Sequence, residues 1–454
     1  MCLFREYCYF CSFSIYNPDM EKVLKKCFFI LLIFTLFNHS LRAQEPLRIT
    51  LDQALEIAMA ESNTIKIADM TVEKSGYAKK GSYASLYPNV NLSSSYQRTL
   101  LKQVMVMDMG GQPMEIKVGR DNNISASASA SMPLVNAPLW ESLKLSALDV
   151  ELAVEQARSS KVSMISQVKQ AFYGVLLAKA SLDVVTQVHE NAQANYEKTL
   201  QRYQVGKASE VEKLRAQVNL MNTDPSVSSA ENAVLLATWQ LKAVMGLDLS
   251  TEIEAIGDLN DYTGLLLTPY VSEDNIDNNS SLLQLDIQNR MLESNIRMQK
   301  KQYLPTLAAS INYNYSAMGD NELRWFPSSN AALSLSIPVF DGFQKHYNIK
   351  QSKISKDMLE VQREDTERQI RIAIRNYNDR IALCVKNYNA SNATVEIAQK
   401  SYQISEKMYE VGKATLVELN DAQLALQQAQ LTQAQAIYEF MVARAALDEL
   451  IGKE

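Results

Sequence analysis

Punctuation is scarce in this chain. Across 454 residues there are 14 glycines and 11 prolines, which excludes a turn-rich fold and predicts long uninterrupted elements. Cysteine is nearly missing: four of the five (Cys2, Cys8, Cys11, Cys27) precede residue 28 and only Cys384 follows. If the N-terminus is removed, no internal disulfide can form, whatever the redox compartment. Positive charge is not in excess either. The formal net charge is -6, which argues against a nucleic-acid partner. The three histidines, His39, His189 and His346, are scattered, and no Walker loop, dinucleotide fingerprint or HExxH helix occurs. No enzyme activity, cofactor or resident metal is therefore expected. Beyond the N-terminal region no run of 18 apolar residues exists, so membrane contact by the processed chain must come from β-strands or a surface helix.

The one concentrated apolar run lies near the start. Glu21-Lys22-Val23-Leu24-Lys25-Lys26 is a basic lead, and Cys27 to Phe37 is an apolar stretch too short to span a bilayer as a helix. Ser40-Leu41-Arg42-Ala43 follows, with Ala43 at the expected cleavage position. Residues 1–43 thus read as an N-terminal extension and signal peptide, with Met20 as an alternative start that would leave 1–19 upstream of it. Cys27 opens the apolar run rather than following it and is not placed as a lipid-attachment cysteine.

The rest of the chain repeats itself. Leu86-Tyr87-Pro88-Asn89-Val90 matches Tyr303-Leu304-Pro305-Thr306-Leu307, 217 residues later. Ser131-Met132-Pro133-Leu134-Val135 matches Ser336-Ile337-Pro338-Val339-Phe340, 205 later. Tyr203-Gln204-Val205-Gly206-Lys207-Ala208-Ser209 matches Tyr409-Glu410-Val411-Gly412-Lys413-Ala414-Thr415, 206 later, and Gly246 matches Gly452 at the same offset. The first copy therefore carries about 12 extra residues between its first two landmarks. The period is too long for a solenoid and marks a duplicated half: residues 44–249 and 281–454, with an Asp/Asn-rich connector at 250–280 expected to pack outside the helices.

Inside each copy the hydrophobic period switches. Residues 51–86 read as helix, opened by a Thr50/Gln53 capping box. Then alternation takes over. Ala126, Ala128, Ala130 and Met132 alternate with Ser125, Ser127, Ser129 and Ser131. Leu307, Ala309, Ile311, Tyr313 and Tyr315 alternate with Ala308, Ser310, Asn312 and Asn314. Period 2 puts the two sets on opposite faces. Each copy holds one strand pair, about 89–133 and 305–340, bracketed by Pro88 and Pro133 or by Pro305 and Pro338, which start or end a strand without needing a ladder N–H. The first strand, near 89–107, alternates less cleanly. Met105, Met107 and Met109 alternate there, with Met114 nearby. Thioethers on one face suit a soft cation such as Cu(I), but an apolar strand edge is the plainer reading.

Long helices follow each pair. Residues 139–204 contain no proline. Leu419, Ala422, Leu426, Ala429, Gln433, Ala436, Phe440, Ala443, Leu447 and Leu450 form a 3/4 seam with one polar member, a coiled-coil pattern. Pro225 has no counterpart in the second copy and predicts a kink or break. Gly206 and Gly412 end long helices at positions that favour a left-handed residue. Ser209-Glu210-Val211-Glu212 and Thr415-Leu416-Val417-Glu418 then read as fresh capping boxes, so each turn is a tight αα-hairpin.

Four Ser/Asn-faced strands cannot close a membrane barrel, which needs about eight or more. Two chains would supply eight and three would supply twelve. The opening Leu51-Asp52-Gln53-Ala54-Leu55-Glu56-Ile57-Ala58, the Pro-bracketed strand pairs and the two Tyr-x-Val-Gly-x-x-Ser/Thr turns, in order and duplicated, resemble the TolC-type outer-membrane efflux family over essentially the whole processed chain. The resemblance implies a mainly α fold with a membrane β-barrel. In it, a homotrimer completes a 12-stranded barrel in the outer membrane, and coiled-coil helices form a periplasmic α-barrel. It implies a passive exit duct for small molecules or exported protein in a tripartite efflux or type I secretion system. The implied partners are outer-membrane lipid, a periplasmic adaptor protein and an inner-membrane pump. It also places the turns at the periplasmic tip where the adaptor docks, with Lys207 and Lys413 exposed, Tyr203 and Tyr409 packed beneath, and Gly206, Ser209, Gly412 and Thr415 shaping the turns. By alignment from Gly412, the aperture acids fall on Glu418 and Asp421. Local chemistry offers another role for both: Glu418 as a cap and Asp421 as a first-turn acid. The alternative for the whole chain is a periplasmic coiled-coil scaffold or adaptor without a channel, which would leave the duplicated strands unexplained.

Overall fold

The computed structural model of the chain describes residues 47–110, 112–267 and 275–453. The expected signal segment lies outside the described residues, as does 268–274 of the connector. The elements run β1 (Leu47–Ile49), α1 (Leu51–Glu61), α2 (Asn63–Ala84), β2 (Asn89–Arg98), β3 (Gln103–Met109), β4 (Gln112–Val118), β5 (Asn122–Val135), α3 (Ala137–Gln204), α4 (Glu210–Met245), β6 (Ile253–Ala255), α5 (Thr263–Leu267), α6 (Ser280–Lys301), β7 (Thr306–Gly319), β8 (Arg324–Ser336), α7 (Gln344–Glu410) and α8 (Leu416–Leu450). Among the described residues, 47–48 with 250–254 form one compact unit, in which the Leu47 N–H donates to the Glu252 carbonyl at 2.9 Å and Arg48 pairs with Glu254 at 3.1 Å. Residues 49–249 with 255–454 form the other, and the remaining description concerns that unit.

Its helices come in matched sizes. α2 and α6 each have 22 residues, α3 and α7 have 68 and 67, and α4 and α8 have 36 and 35. At 1.5 Å per residue, α3 and α7 are each about 100 Å long. α3 is also the one described helix with an 18-residue window, of mean hydropathy 1.2, long and apolar enough to cross a membrane by composition. Phe172, Val175 and Leu176 of this helix are nonetheless buried within the chain. α4 and α8 end alike, at Gly246 and Gly452 with φ of 77° and 73°. A Cβ on these glycines would meet the Glu61 carbonyl oxygen at 2.7 Å and the Asn278 carbonyl oxygen at 2.2 Å. In each copy, then, the last helix closes onto the residues leading into the first 22-residue helix, and only glycine fits the approach.

Two helix expectations need correction. Residues 51–86 are not one helix: Thr50 makes its capping box with Gln53, but the chain turns extended at Ser62, where the end of α4 abuts it, and α2 stops at Ala84. Pro225 does not break α4, which runs through it. The missing N–H would have bonded the carbonyl of Met221, a residue on an exposed face where water can serve that carbonyl.

The predicted α8 seam packs. Leu419, Ala422, Leu426, Ala429, Ala436, Phe440, Ala443 and Leu447 are buried. Gln433, its polar member, donates to the Asn392 side chain at 2.9 Å. The connector packs on α3, with Ala255 and Leu259 buried, Lys179 donating to the Ala255 carbonyl at 2.8 Å, and Tyr262 edge-on to Tyr173.

The strands form an antiparallel sheet of order β2-β5-β7-β8. Its register separates two faces. Val90, Ala130, Ile311 and Ala331 make one row, and Met132, Ala309 and Leu333 another. Rows on the opposite face read Ser93, Ser127, Asn314, Ser328 and Asn91, Ser129, Asn312, Asn330. Ser93–Ser127 and Ser95–Ser125 hydroxyls bond across strands at 2.7 and 2.8 Å. Phe326 is an apolar exception on this polar face. The first strand is shorter than expected, ending at Arg98, and the methionine run belongs to a separate two-stranded hairpin, β3–β4. Pro88 and Pro305 immediately precede strands and Pro338 lies two residues past β8. Pro133 departs from the expected strand-end position. It sits inside β5 at a register irregularity between Pro133 and Val135, where a lost N–H disturbs no regular ladder.

Where the sheet gives way to helix, the two copies are tied by a buried carboxylate. Glu141 on α3 is 1% exposed. It accepts from Arg297 at 2.8 Å, Lys301 at 2.6 Å and Ser294 at 3.2 Å, all on α6. Burial pushes its carboxyl up, but the bonds from Arg297 and Lys301, with the Lys144 charge, outweigh that and hold it at about 2.

Candidate functional site

The two αα-turns share one construction. Gly206 and Gly412 adopt φ of 71° and 76°. The Gly206 N–H donates to the Tyr203 carbonyl at 3.0 Å and the Lys207 N–H to that of Arg202 at 2.8 Å. Gly412 and Lys413 repeat this on Tyr409 and Met408 at 3.0 and 2.8 Å. These are the paired bonds of a Schellman terminus. The next helices open with reciprocal capping boxes, Ser209 with Glu212 and Thr415 with Glu418. Lys207 and Lys413 are exposed at the turns.

Beneath the turns the copies diverge. Tyr409 is buried among Tyr402, Leu416, Leu419 and Ala422. Its hydroxyl lies 2.7 Å from that of buried Thr199. Arg202 donates to the Tyr409 carbonyl at 3.0 Å and places its guanidinium 5.1 Å from the ring centroid. Lys198 reaches Glu410 at 2.6 Å and holds its carboxyl below the usual range. The last turns of α3 thus clasp the last turn of α7. Tyr203, expected to pack beneath its own turn, is instead 36% exposed, with the Lys213 ammonium 4.7 Å over its ring. At the positions equivalent to Lys198, Thr199 and Arg202 the second copy has Ile404, Ser405 and Met408, with no cationic side chain among them. These clasp residues escaped the sequence reading, which followed where the copies agree. Their signal lay where the copies differ.

The expected aperture acids separate in character. Glu418 is occupied: its carboxylate accepts the Thr415 N–H at 2.7 Å and the Thr415 hydroxyl at 3.1 Å. Asp421 is exposed and has no hydrogen-bond or ion-pair partner among the described residues. It is also not a first-turn acid, because α8 starts at Leu416 and Asp421 falls in the second turn, beyond the reach of the helix dipole. Its counterpart in the first copy is Arg215. Between α4 and α8 runs an open groove lined by Val211, Leu214, Val218, Asn219, Val417 and Asn420. Among the described residues no cluster of His, Cys, Asp and Glu could hold a metal.

The profile of the outer membrane efflux protein family matches this chain twice, over residues 54–247 and 271–453, once per copy. The chain belongs to the outer membrane efflux protein family. It is 22% identical to the outer membrane protein TolC of Vibrio cholerae over 383 residues, covering 83% of this chain and 84% of that one. It is 24% identical to TolC of Escherichia coli over 364 residues, 73% and 70% of the two chains. Its fold matches the CmeC outer membrane channel of Campylobacter jejuni with a TM-score of 0.70 at 17% identity, over 88% of this chain and 85% of that one. As a member of the outer membrane efflux protein family, the chain is an outer-membrane channel protein, and its family is one of channels rather than enzymes.

Proposed function

We propose that three copies of this chain close into one exit duct, with twelve strands forming a barrel in the outer membrane and the long helices forming a periplasmic tunnel. The observation that carries this is the sheet. β2 and β8 are open edges, and Val90, Leu92, Ile311, Tyr313, Leu333 and Leu335 lie exposed on its apolar face. In water such a face and such edges would drive aggregation. Pairing β2 of one copy with β8 of the next removes the edges, turns the apolar face to lipid and leaves the Ser/Asn face lining a wet lumen. A soluble scaffold would leave that face uncovered.

At the tunnel's far end the two turns form the tip. The clasp of Lys198, Thr199 and Arg202 on Tyr409 and Glu410 holds the second copy's hairpin inward, closing the aperture. Threefold symmetry makes Asp421 a ring of three carboxylates, a cation-attracting constriction. Lys207, Lys413 and the apolar groove between α4 and α8 give a periplasmic adaptor protein a docking surface. An inner-membrane pump supplies the energy, since a passive duct has no means to. Residues 44–249 and 281–454 act as two half-walls joined by 250–280. Fractionation tests the assembly: a heat-modifiable trimer in the outer membrane is the expected result, and a soluble periplasmic monomer refutes it.

A further inference from the structure

We propose that the β3–β4 hairpin carries a binding site for a soft monovalent cation, Cu(I) or Ag(I), formed by the thioethers of Met105, Met107 and Met114. Four of the chain's 18 methionines fall within the ten residues 105–114. The strand register supplies what the linear order cannot. Met107 lies directly across from Met114, and Met105 is two residues along the same strand on the same face, opposite Ile116. Directly facing residues have Cβ atoms about 4.5–5.5 Å apart. Metal–sulfur bonds of about 2.3 Å put two donor sulfurs roughly 4 Å from each other. Met107 and Met114 start close to that span, which their flexible side chains can close, and the three rotatable bonds of Met105 let it complete the third side.

Apolarity alone does not account for this composition. Met105, Met107 and Met114 are each between 43% and 48% exposed, so none fills a core gap. Methionine is not among the favoured strand formers, whereas Val, Ile and aromatic residues are. On the apolar face of the main sheet Leu, Ile, Tyr and Ala predominate and Met132 stands alone, with no second methionine across from it or two residues away. What distinguishes a methionine face is neutral, soft sulfur, which selects Cu(I)-like ions over hard or borderline ones. The hairpin is also held rather than loose. Lys102 and Arg120, just outside its two strands, bond Asp320 in the β7–β8 turn at 2.9 and 2.8 Å, and the Asp121 N–H donates to the same carboxylate at 2.9 Å. That anchor reduces the ordering a ligand would have to impose.

Silver(I) nitrate titrated into the purified trimer in chloride-free detergent solution, followed by calorimetry, tests this. One saturable Ag(I) site per chain is expected, weakened at least about tenfold in Met105→Leu/Met107→Leu/Met114→Leu, a volume-conserving change, and unchanged in Met221→Leu/Met358→Leu. Because thioethers carry no proton to displace, affinity stays flat from about pH 5 to 8, unlike a histidine or thiolate site. A second readout uses the unaltered protein: bound Ag(I) shields Met105, Met107 and Met114 from peroxide oxidation to sulfoxide, measured by peptide mass spectrometry. No saturable binding, equal binding by the triple variant, displacement of Ag(I) by Zn(II), or oxidation unaffected by Ag(I) would each overturn the proposal. If the triple variant fails to assemble, the oxidation readout decides.

Discussion

Replacing Arg202 with alanine tests the clasp where it is strongest. The side chain makes a charge-assisted bond to the Tyr409 carbonyl and stacks on its ring. Such a bond contributes about 1.5–3 kcal/mol and a cation over an aromatic face about 0.5–1 kcal/mol where partly exposed. The carbonyl keeps a second partner, the Gly412 N–H at 3.0 Å, so its loss is not a full desolvation cost. About 2–3 kcal/mol in total is reasonable. If the clasp holds the hairpin inward, that is a shift of roughly 30- to 160-fold toward the open tip. Tyr409→Phe should do less. Thr199 still donates to the Asn195 carbonyl at 2.7 Å, leaving no orphaned donor, so the cost is about 1 kcal/mol and the shift about fivefold. Lys198→Ala should do least, because both it and Glu410 are exposed. Single-channel recording in planar bilayers reads all three. The expected order of open probability is Arg202→Ala, then Tyr409→Phe, then Lys198→Ala, then the parent. Wild-type conductance in an intact Arg202→Ala trimer would refute the clasp as a gate, and a larger effect from Lys198→Ala would refute the reasoning about its parts.

Further outcomes follow from other sites. Asp421→Asn should lower the preference for cations over anions while leaving trimer stability unchanged, since the side chain makes no hydrogen bond or ion pair among the described residues; an unmoved reversal potential in a salt gradient would remove Asp421 from the aperture. Glu141→Gln should destabilise the protein at neutral pH: the carboxyl falls from 4.5 to about 2 on folding, at most about 3 kcal/mol and nearer 2 because Arg297 and Lys301 can reach water. A depressed carboxyl stabilises above its unfolded value, so the melting difference between parent and variant should be full above about pH 5 and fade as pH falls from 4.5 toward 2; a difference that grows on acidification would contradict the assignment. Leu333→Arg should cut the yield of outer-membrane trimer, with a cost of about 2–4 kcal/mol if the position lies at mid-bilayer, whereas Ser334→Arg on the lumen face should assemble; equal yields would mean the faces are misassigned.

The legible parts of this fold are those where one physical rule acts alone. The Ser/Ala alternation of 125–132 can bury or wet only alternate residues, so period 2 sufficed to set the faces of β5. The Gly-x-x-Ser/Thr-x-x-Glu turns combine a left-handed residue with a reciprocal cap, and both requirements are local. Proline was less informative. Pro225 was tolerated because the orphaned carbonyl lies on an exposed face, and Pro133 because a bulge had already interrupted the ladder, facts of tertiary placement that no local rule contains. The first strand was overextended for a related reason: residues 89–118 are polar or apolar in no clean alternation, and only pairing shows that the chain leaves the main sheet at Arg98 to make a second hairpin. Glu418 was legible as a cap because the Thr-x-x-Glu box is local; Asp421 was misplaced as a first-turn acid because that depends on the helix starting at Leu416.

The least legible feature is the clasp on Tyr409, and the duplication explains why. Two identical copies would give two identical turns and a tip with no element free to move differently from the rest. Here Tyr203 and Tyr409 occupy the same place in the repeat, yet only Tyr409 is buried and held by Thr199 and Arg202, and the second copy has Ile404, Ser405 and Met408 where the first has Lys198, Thr199 and Arg202. The converse difference is at the acids: Asp421 in one copy, Arg215 in the other. In the proposed duct, divergence would give the first copy the means to hold and the second the segment that is held, together with the charge at the opening. On that account, placing the clasp residues at the equivalent positions of the second copy, by Ile404→Lys/Ser405→Thr/Met408→Arg, would let each chain of the proposed trimer hold the next chain's Tyr203 hairpin and lower open probability below the parent's. A channel that opens as often with both turns clasped as with one would mean that the asymmetry, however clear in the residues, is not what sets the aperture.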